Sequence, residues 1–126
     1  MEHEDVRTWV EGYENAWRTE GTTSLPGLFT EDISYVVSPW AAAVEGMDAL
    51  RELWEAEREG ADESFTMTSE VLAVDGDTAV VRAEVYYAEP EAGRWRDLWV
   101  LRFDVDGRCR RFEEWPFAPD EPDGHP

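Results

Sequence analysis

Asp97 stands between Trp95 and Trp99 in the run R-W-R-D-L-W-V-L-R-F, residues 94–103. Alternate side chains of a strand share a face. The carboxylate therefore falls with Trp95, Trp99, Leu101 and Phe103, opposite a face of Arg94, Arg96, Leu98, Val100, Arg102 and Asp104. An acid on an apolar sheet face marks a ligand site or has a structural partner. The next run, R-C-R-R-F-E-E-W-P (108–116), reads as an antiparallel strand joined to the first at Asp106-Gly107. With a two-residue turn, Val105 opposes Arg108, Leu101 opposes Phe112, and Trp99 opposes Glu114. The apolar Leu101–Phe112 pair supports this register, which places Glu114, not Glu113, beside Asp97. A bulge near Arg110 would reverse that choice. Two carboxyls close together in apolar surroundings split their pKa values, giving one general acid and one general base. The plainer account is that each acid is neutralised by an arginine or wetted at the sheet end. The sequence leaves both accounts open.

Other side chains suit the same chemistry. Tyr13 and Trp17 lie one helical turn apart, and Tyr13 has a phenol to offer a ligand oxygen. Tyr35 and Trp40 flank Ser38-Pro39, where the chain would cross the mouth of a pocket. Trp54, Trp95, Trp99 and Phe112 complete a candidate aromatic lining, and seven tryptophans exceed what a core of this size needs. Core packing accounts for Tyr13, Trp17 and Trp54 at least as well. Cys109 reads as a small buried hydrophobe.

Absences narrow the chemistry further. Both histidines, His3 and His125, lie in the terminal segments, so a histidine base or a histidine-rich metal site is not expected. All eleven basic residues are arginine, which removes Schiff-base chemistry. No nucleotide-binding glycine motif or nucleophile elbow occurs, so neither a cofactor nor a metal is expected. A net charge of −19 disfavours nucleic acid and anionic membranes. The acidic N-terminus is no signal peptide, and no apolar run reaches the roughly 20 residues of a membrane span. The single cysteine fits a cytoplasmic protein.

The elements that must position these residues follow from periodicity. Val6, Trp9, Val10, Tyr13, Ala16 and Trp17 form one helical stripe over residues 3–20, ended at Gly21. A short helix is expected over 24–29, a strand over 32–37, and a third helix over 46–59, closed by Gly60. Strands follow at 65–74, 78–88, 94–105 and 108–116. A three-residue turn at 75–77 pairs Val81 with Val71, Ala83 with Ser69 and Val85 with Met67 inside, and Arg82 with Glu70 outside. Residues 1–117 make one domain, and 118–126 form a disordered acidic, proline-rich tail. Helices first and a long antiparallel sheet afterwards argue for an α+β fold.

The order helix, short helix, F-T-E-D-I-S-Y strand, G-M-D-A-L-R-E-L-W helix, then strands with L-R-F-D-V-D-G-R and F-E-E-W resembles the nuclear transport factor 2-like superfamily, and within it the SnoaL-like small proteins. That resemblance implies a cone-shaped α+β barrel, three N-terminal helices on a curved, mostly antiparallel sheet, with a small-molecule pocket at its open end. It implies a homodimer through the outer sheet face, where Tyr86, Leu98, Val100 and Trp115 would form an apolar patch. Against ketosteroid isomerase, Tyr13 matches the helical tyrosine, but Ser38 stands at the base position and Trp99 at the second acid. Against limonene-type epoxide hydrolase, Tyr35, Arg82-Ala83-Glu84 and Glu114 are similar, with Val37 in place of an asparagine. That template needs Arg82 and Glu84 to point inward. SnoaL-like cyclases imply cofactor-free acid–base catalysis by a pocket aspartate, which here would be Asp97. The resulting expectation is an isomerase or cyclase for a small hydrophobic oxygenated compound: Asp97 as base, Glu114 as partner or acid, Tyr13 or Tyr35 as hydrogen-bond donor. A non-catalytic ligand-binding or dimerisation module remains the alternative.

Overall fold

A computed structural model describes residues 1–57, 65–87 and 93–119. Helix α1 (His3–Arg18) begins at a capping box in which the Glu2 side chain accepts from the Asp5 amide and the Glu2 amide donates to Asp5. It buries Val6, Trp9, Val10, Tyr13 and Ala16, the stripe predicted from spacing. A single turn, α2 (Leu25–Leu28), leads directly into β1 (Phe29–Val36). Strand β2 (Val44–Glu45) folds back antiparallel on β1, with Tyr35 opposite Val44. At Gly46 the backbone takes φ +90, a conformation that suits glycine, as the chain turns from β2 into α3 (Met47–Glu57). Four strands follow: β3 (Phe65–Asp75), β4 (Thr78–Tyr87), β5 (Arg94–Phe103) and β6 (Cys109–Phe117).

The six strands form one curved, unclosed sheet in the order β2-β1-β6-β5-β4-β3, antiparallel except where β1 runs parallel to β6. The architecture is α+β, as expected. The third helix follows β1 and β2 rather than preceding the sheet, and β2 itself was not foreseen. Two residues carry too little periodicity to show as a strand. The expected disorder of 120–126 and the close of the third helix at Gly60 lie outside the described residues. Among the described residues no helix is long and apolar enough to cross a membrane.

Both long hairpins reach the expected register by a different route. Only Gly76 and Asp77 form the β3–β4 turn, and a bulge at Leu72 supplies the extra residue. Beyond that bulge Val81 pairs Val71 and Arg82 pairs Glu70, as expected. In the β5–β6 hairpin, Val105 does not oppose Arg108. Residues 104–108 form the turn, Phe103 pairs Cys109, and a bulge at Arg110 shifts the ladder by one. From there Leu101 opposes Phe112 and Trp99 opposes Glu114. The bulge restores the register, because the longer turn had already displaced it.

The buried sheet face carries Val81, Ala83, Trp99, Leu101, Phe103 and Phe112 against α1 and α3. Phe112 stacks on two tyrosine rings, 4.5 Å from Tyr35 at 4° and 5.3 Å from Tyr13 at 10°.

Candidate active site

Strand alternation, one helix face and the parallel β1–β6 contact bring the chemistry to one cavity of about 330 Å³. Trp95, Asp97 and Trp99 reach it from β5, and Glu114 and Pro116 from β6. Tyr13, Glu14 and Trp17 reach it from α1, Tyr35 from β1, and Leu53, Trp54 and Glu57 from α3. Phe65, Met67, Val85 and Tyr87 close the side made by β3 and β4.

Asp97 is 7 % exposed and Glu114 partly buried. Trp99 donates its indole N–H to Glu114 Oε2 at 3.1 Å. Asp97 Oδ1 is buried and meets no donor while both acids are ionised. The two carboxyls lie within hydrogen-bonding reach, so a proton on Glu114 provides the missing donor. Burial first, then the negative charge of Asp97, drive the Glu114 carboxyl well above the usual carboxylate range. Burial also raises Asp97, opposed by the hydrogen bonds from Glu114 and Trp99. Burial and proximity thus favour a single negative charge over the pair as a whole. No described arginine neutralises either acid.

Beside them, the Tyr13 and Tyr35 hydroxyls are 3.0 Å apart. Burial raises both phenols well above their ordinary value, and the Glu114 charge adds to it. Two hydroxyl protons share one mutual hydrogen bond, so one O–H remains to be donated elsewhere. Trp54 Nε1 is a second buried donor without a partner. Among the described residues no group of three or more metal-ligating side chains occurs. The Cys109 thiol is pushed up to about 12 by burial and is no nucleophile at neutral pH.

Of the residues predicted for the site, Tyr13, Trp17, Tyr35, Trp54, Trp95, Asp97, Trp99 and Glu114 line the cavity. Phe112 does not: it is fully buried, with both tyrosine rings stacked on it. Trp40 is 98 % exposed. Residues 37–43 are the loop of the β1–β2 hairpin, and a turn closed by Ala41 N–H to Ser38 O carries Trp40 away from the sheet. Arg82 pairs with Glu70 at 2.9 Å, and Arg96 with Glu84 at 3.1 Å, on the opposite face. The inward Arg-x-Glu that the epoxide hydrolase template requires is therefore not formed. Phe65 and Tyr87 escaped the sequence reading, although continuing the alternation from Met67 and Val85 reaches both. The Tyr13–Tyr35 contact left no signal, since it depends on β1 docking parallel to β6.

The model of the SnoaL-like domain matches residues 7–112. Among solved structures, a protein from Sinorhizobium meliloti provisionally named a polyketide cyclase shares 25% identity over 90% of this chain and 99% of its own, with TM-score 0.68. An NTF2-like protein of unknown function from Mesorhizobium loti shares 20% identity over 92% and 93%, also at TM-score 0.68. A steroid delta-isomerase from Pseudomonas aeruginosa shares 18% over 92% and 82%, at TM-score 0.65. No curated protein sequence matches the chain. With most of its length covered by that one family model and its fold shared with these structures, the chain belongs to the SnoaL-like domain family.

Proposed function

We propose that the cavity is a cofactor-free acid–base site that isomerises or cyclises a small hydrophobic oxygenated molecule. One observation carries this reading: a buried carboxyl pair adjoins a hydroxyl pair with a free donor, inside one aromatic cavity. Asp97, ionised, takes a proton next to a carbonyl. The spare hydroxyl of the Tyr13–Tyr35 pair donates to the carbonyl oxygen as negative charge develops there. Glu114 returns its proton to the product. The names borne by the Sinorhizobium and Pseudomonas proteins are of this reaction class.

The test is hydrogen–deuterium exchange, followed by NMR, on a panel of enones and polyketide-like esters. Wild type should exchange at least one compound above background. Asp97→Asn should lower that rate about 10²–10⁴-fold, the usual worth of a positioned base. Equal rates in the two proteins would remove Asp97 as the base.

We also propose that two copies meet through the outer sheet face. Tyr86, Leu98, Trp115 and Phe117 are exposed there. On this face Arg82, Arg94, Arg96, Arg102 and Arg111 balance Glu45, Glu70, Asp75, Glu84 and Glu113. In a chain of net charge −19, such a face lets like copies approach without strong repulsion.

A further inference from the structure

The unused hydrogen-bonding groups around the cavity describe what fits it. One is a donor, the spare hydroxyl of the Tyr13–Tyr35 pair. The Asp97–Glu114 carboxyls supply the acceptors, while Trp54 Nε1 and Asp97 Oδ1 themselves are sealed from the open space. Every ionisable carboxyl lining the cavity is anionic when charged (Glu14, Glu57, Asp97 and Glu114), and no described arginine or histidine lines it. Arg18 is the nearest by sequence to the α1 lining residues. Its guanidinium binds Glu14 at 2.8 Å and the Phe65 carbonyl at 2.8 Å, and stacks 3.9 Å over the Phe65 ring. Among the described residues no cation offsets the negative charge of the Asp97–Glu114 pair. Trp17, Trp54, Trp95 and Trp99 wall the same space, and aromatic faces attract cations by about 2 kcal/mol where water is excluded.

We infer that the substrate is a hydrophobic amine bearing a carbonyl or similar oxygen function, its ammonium against the Asp97–Glu114 pair and its oxygen on the spare tyrosine hydroxyl. This rests on the acid–base reading for the role of the pair, but the charge preference stands apart from it. With nitrogen in that place, the proton Asp97 takes is an N–H proton. The N–H bond breaks and the electron pair stays on nitrogen, which forms a C–N bond to the carbonyl carbon; the C=O π pair moves to oxygen, which takes the tyrosine proton to give an N-protonated carbinolamine, and the tyrosine regains a proton from solvent. A bound cation also offsets the repulsion between the carboxyls, so binding drives their shared proton into solvent.

Calorimetric titration of the full chain at pH 7 with 2-naphthylmethylamine, 2-naphthylmethanol and 2-naphthoate tests the charge preference on one ring system. The amine should bind about tenfold or more tighter than the alcohol, a difference of roughly 1.4 kcal/mol, and the carboxylate weaker than both. Heats measured in buffers of different ionisation enthalpy should show proton release with the amine and none with the alcohol. Asp97→Asn should erase the amine's advantage while alcohol affinity stays within about threefold, as a change confined to charge requires. An alcohol that binds as tightly as the amine, or an advantage that survives Asp97→Asn, overturns the inference. If Asp97-dependent exchange on a neutral compound accompanies that result, the acid–base reading survives alone. If the amine is preferred but Asp97→Asn leaves exchange unchanged, the charge preference survives alone. Absence of binding by all three ends both.

Discussion

Glu114→Gln should stabilise the protein, and by an amount that depends on pH. Glutamine keeps the shape of the side chain. Its carbonyl can accept from Trp99 Nε1, as Glu114 Oε2 does at 3.1 Å, and its amide can donate to Asp97. What it removes is the ionisation. In the folded protein both carboxyls sit above their free values of about 3.9 and 4.3: burial raises both, and the negative charge of Asp97 adds to the rise at Glu114. A raised folded pKa gives stability that is complete below the unfolded value and is lost as pH rises through the folded one. Above about pH 4 the unfolded wild type is free to release protons that the folded pair retains, and each further pH unit favours unfolding. At pH 8 the substitution should therefore gain about 1–3 kcal/mol, the cost of leaving a buried polar group uncompensated. For a chain of this length that is a melting shift of roughly 3–10 °C upward. Near pH 4 the two proteins should melt together, since protonated Glu114 and glutamine make the same bonds. Thermal melts followed by tryptophan fluorescence from pH 4 to pH 8 measure both ends. A pH-independent difference, or a wild type more stable at pH 8, would refute the coupled pair.

Three further outcomes follow from the same geometry. Phe112→Ala should cost about 3–5 kcal/mol in urea denaturation, because a fully buried ring stacked on Tyr13 and Tyr35 leaves a cavity. Trp40→Ser should change stability by no more than about 0.5 kcal/mol and leave ligand titrations untouched, as its ring contacts solvent. Leu98→Arg should convert a dimer to a monomer in size-exclusion chromatography with light scattering. A monomeric wild type would show that the outer face has no such role.

The parts of this molecule that repeat a short period were legible in its sequence. The α1 stripe from Val6 to Ala16 and the alternation Trp95, Asp97, Trp99 each depend only on neighbours along one element. Register was legible for a less direct reason. An apolar face tolerates only one phase of pairing, so Leu101 had to meet Phe112 whichever turn joined the strands. The turns carry no such constraint, and both were misread: the bulges at Leu72 and Arg110 each offset a turn of different length. Trp40 was misplaced because its loop lacks any period, and an aromatic side chain beside proline looks alike inward or outward. The meeting of Tyr13 with Tyr35 lay beyond reach, because it joins α1 to a strand that pairs in parallel with the last one.

What distinguishes the carboxyl pair is that the fold does nothing to relieve it. The sequence has eleven arginines, and the described ones that make ion pairs face Glu4, Glu14, Asp48, Glu70, Asp77, Glu84, Asp106 and Glu113. None turns to Asp97 or Glu114. Acids at or near the surface, where an ion pair contributes at most about 1 kcal/mol, are the ones provided with partners. The two inner acids sit on adjacent central strands, where an arginine on a neighbouring inner position would cost less than leaving them unpaired. Leucine or methionine there would remove the cost altogether. A local arrangement that costs stability, while every surrounding choice favours it, is expected where binding or chemistry requires the unrelieved charge. On that argument the proposed working end of the cavity rests on the pair rather than on any single residue type, because the described arginines that make ion pairs all face other acids.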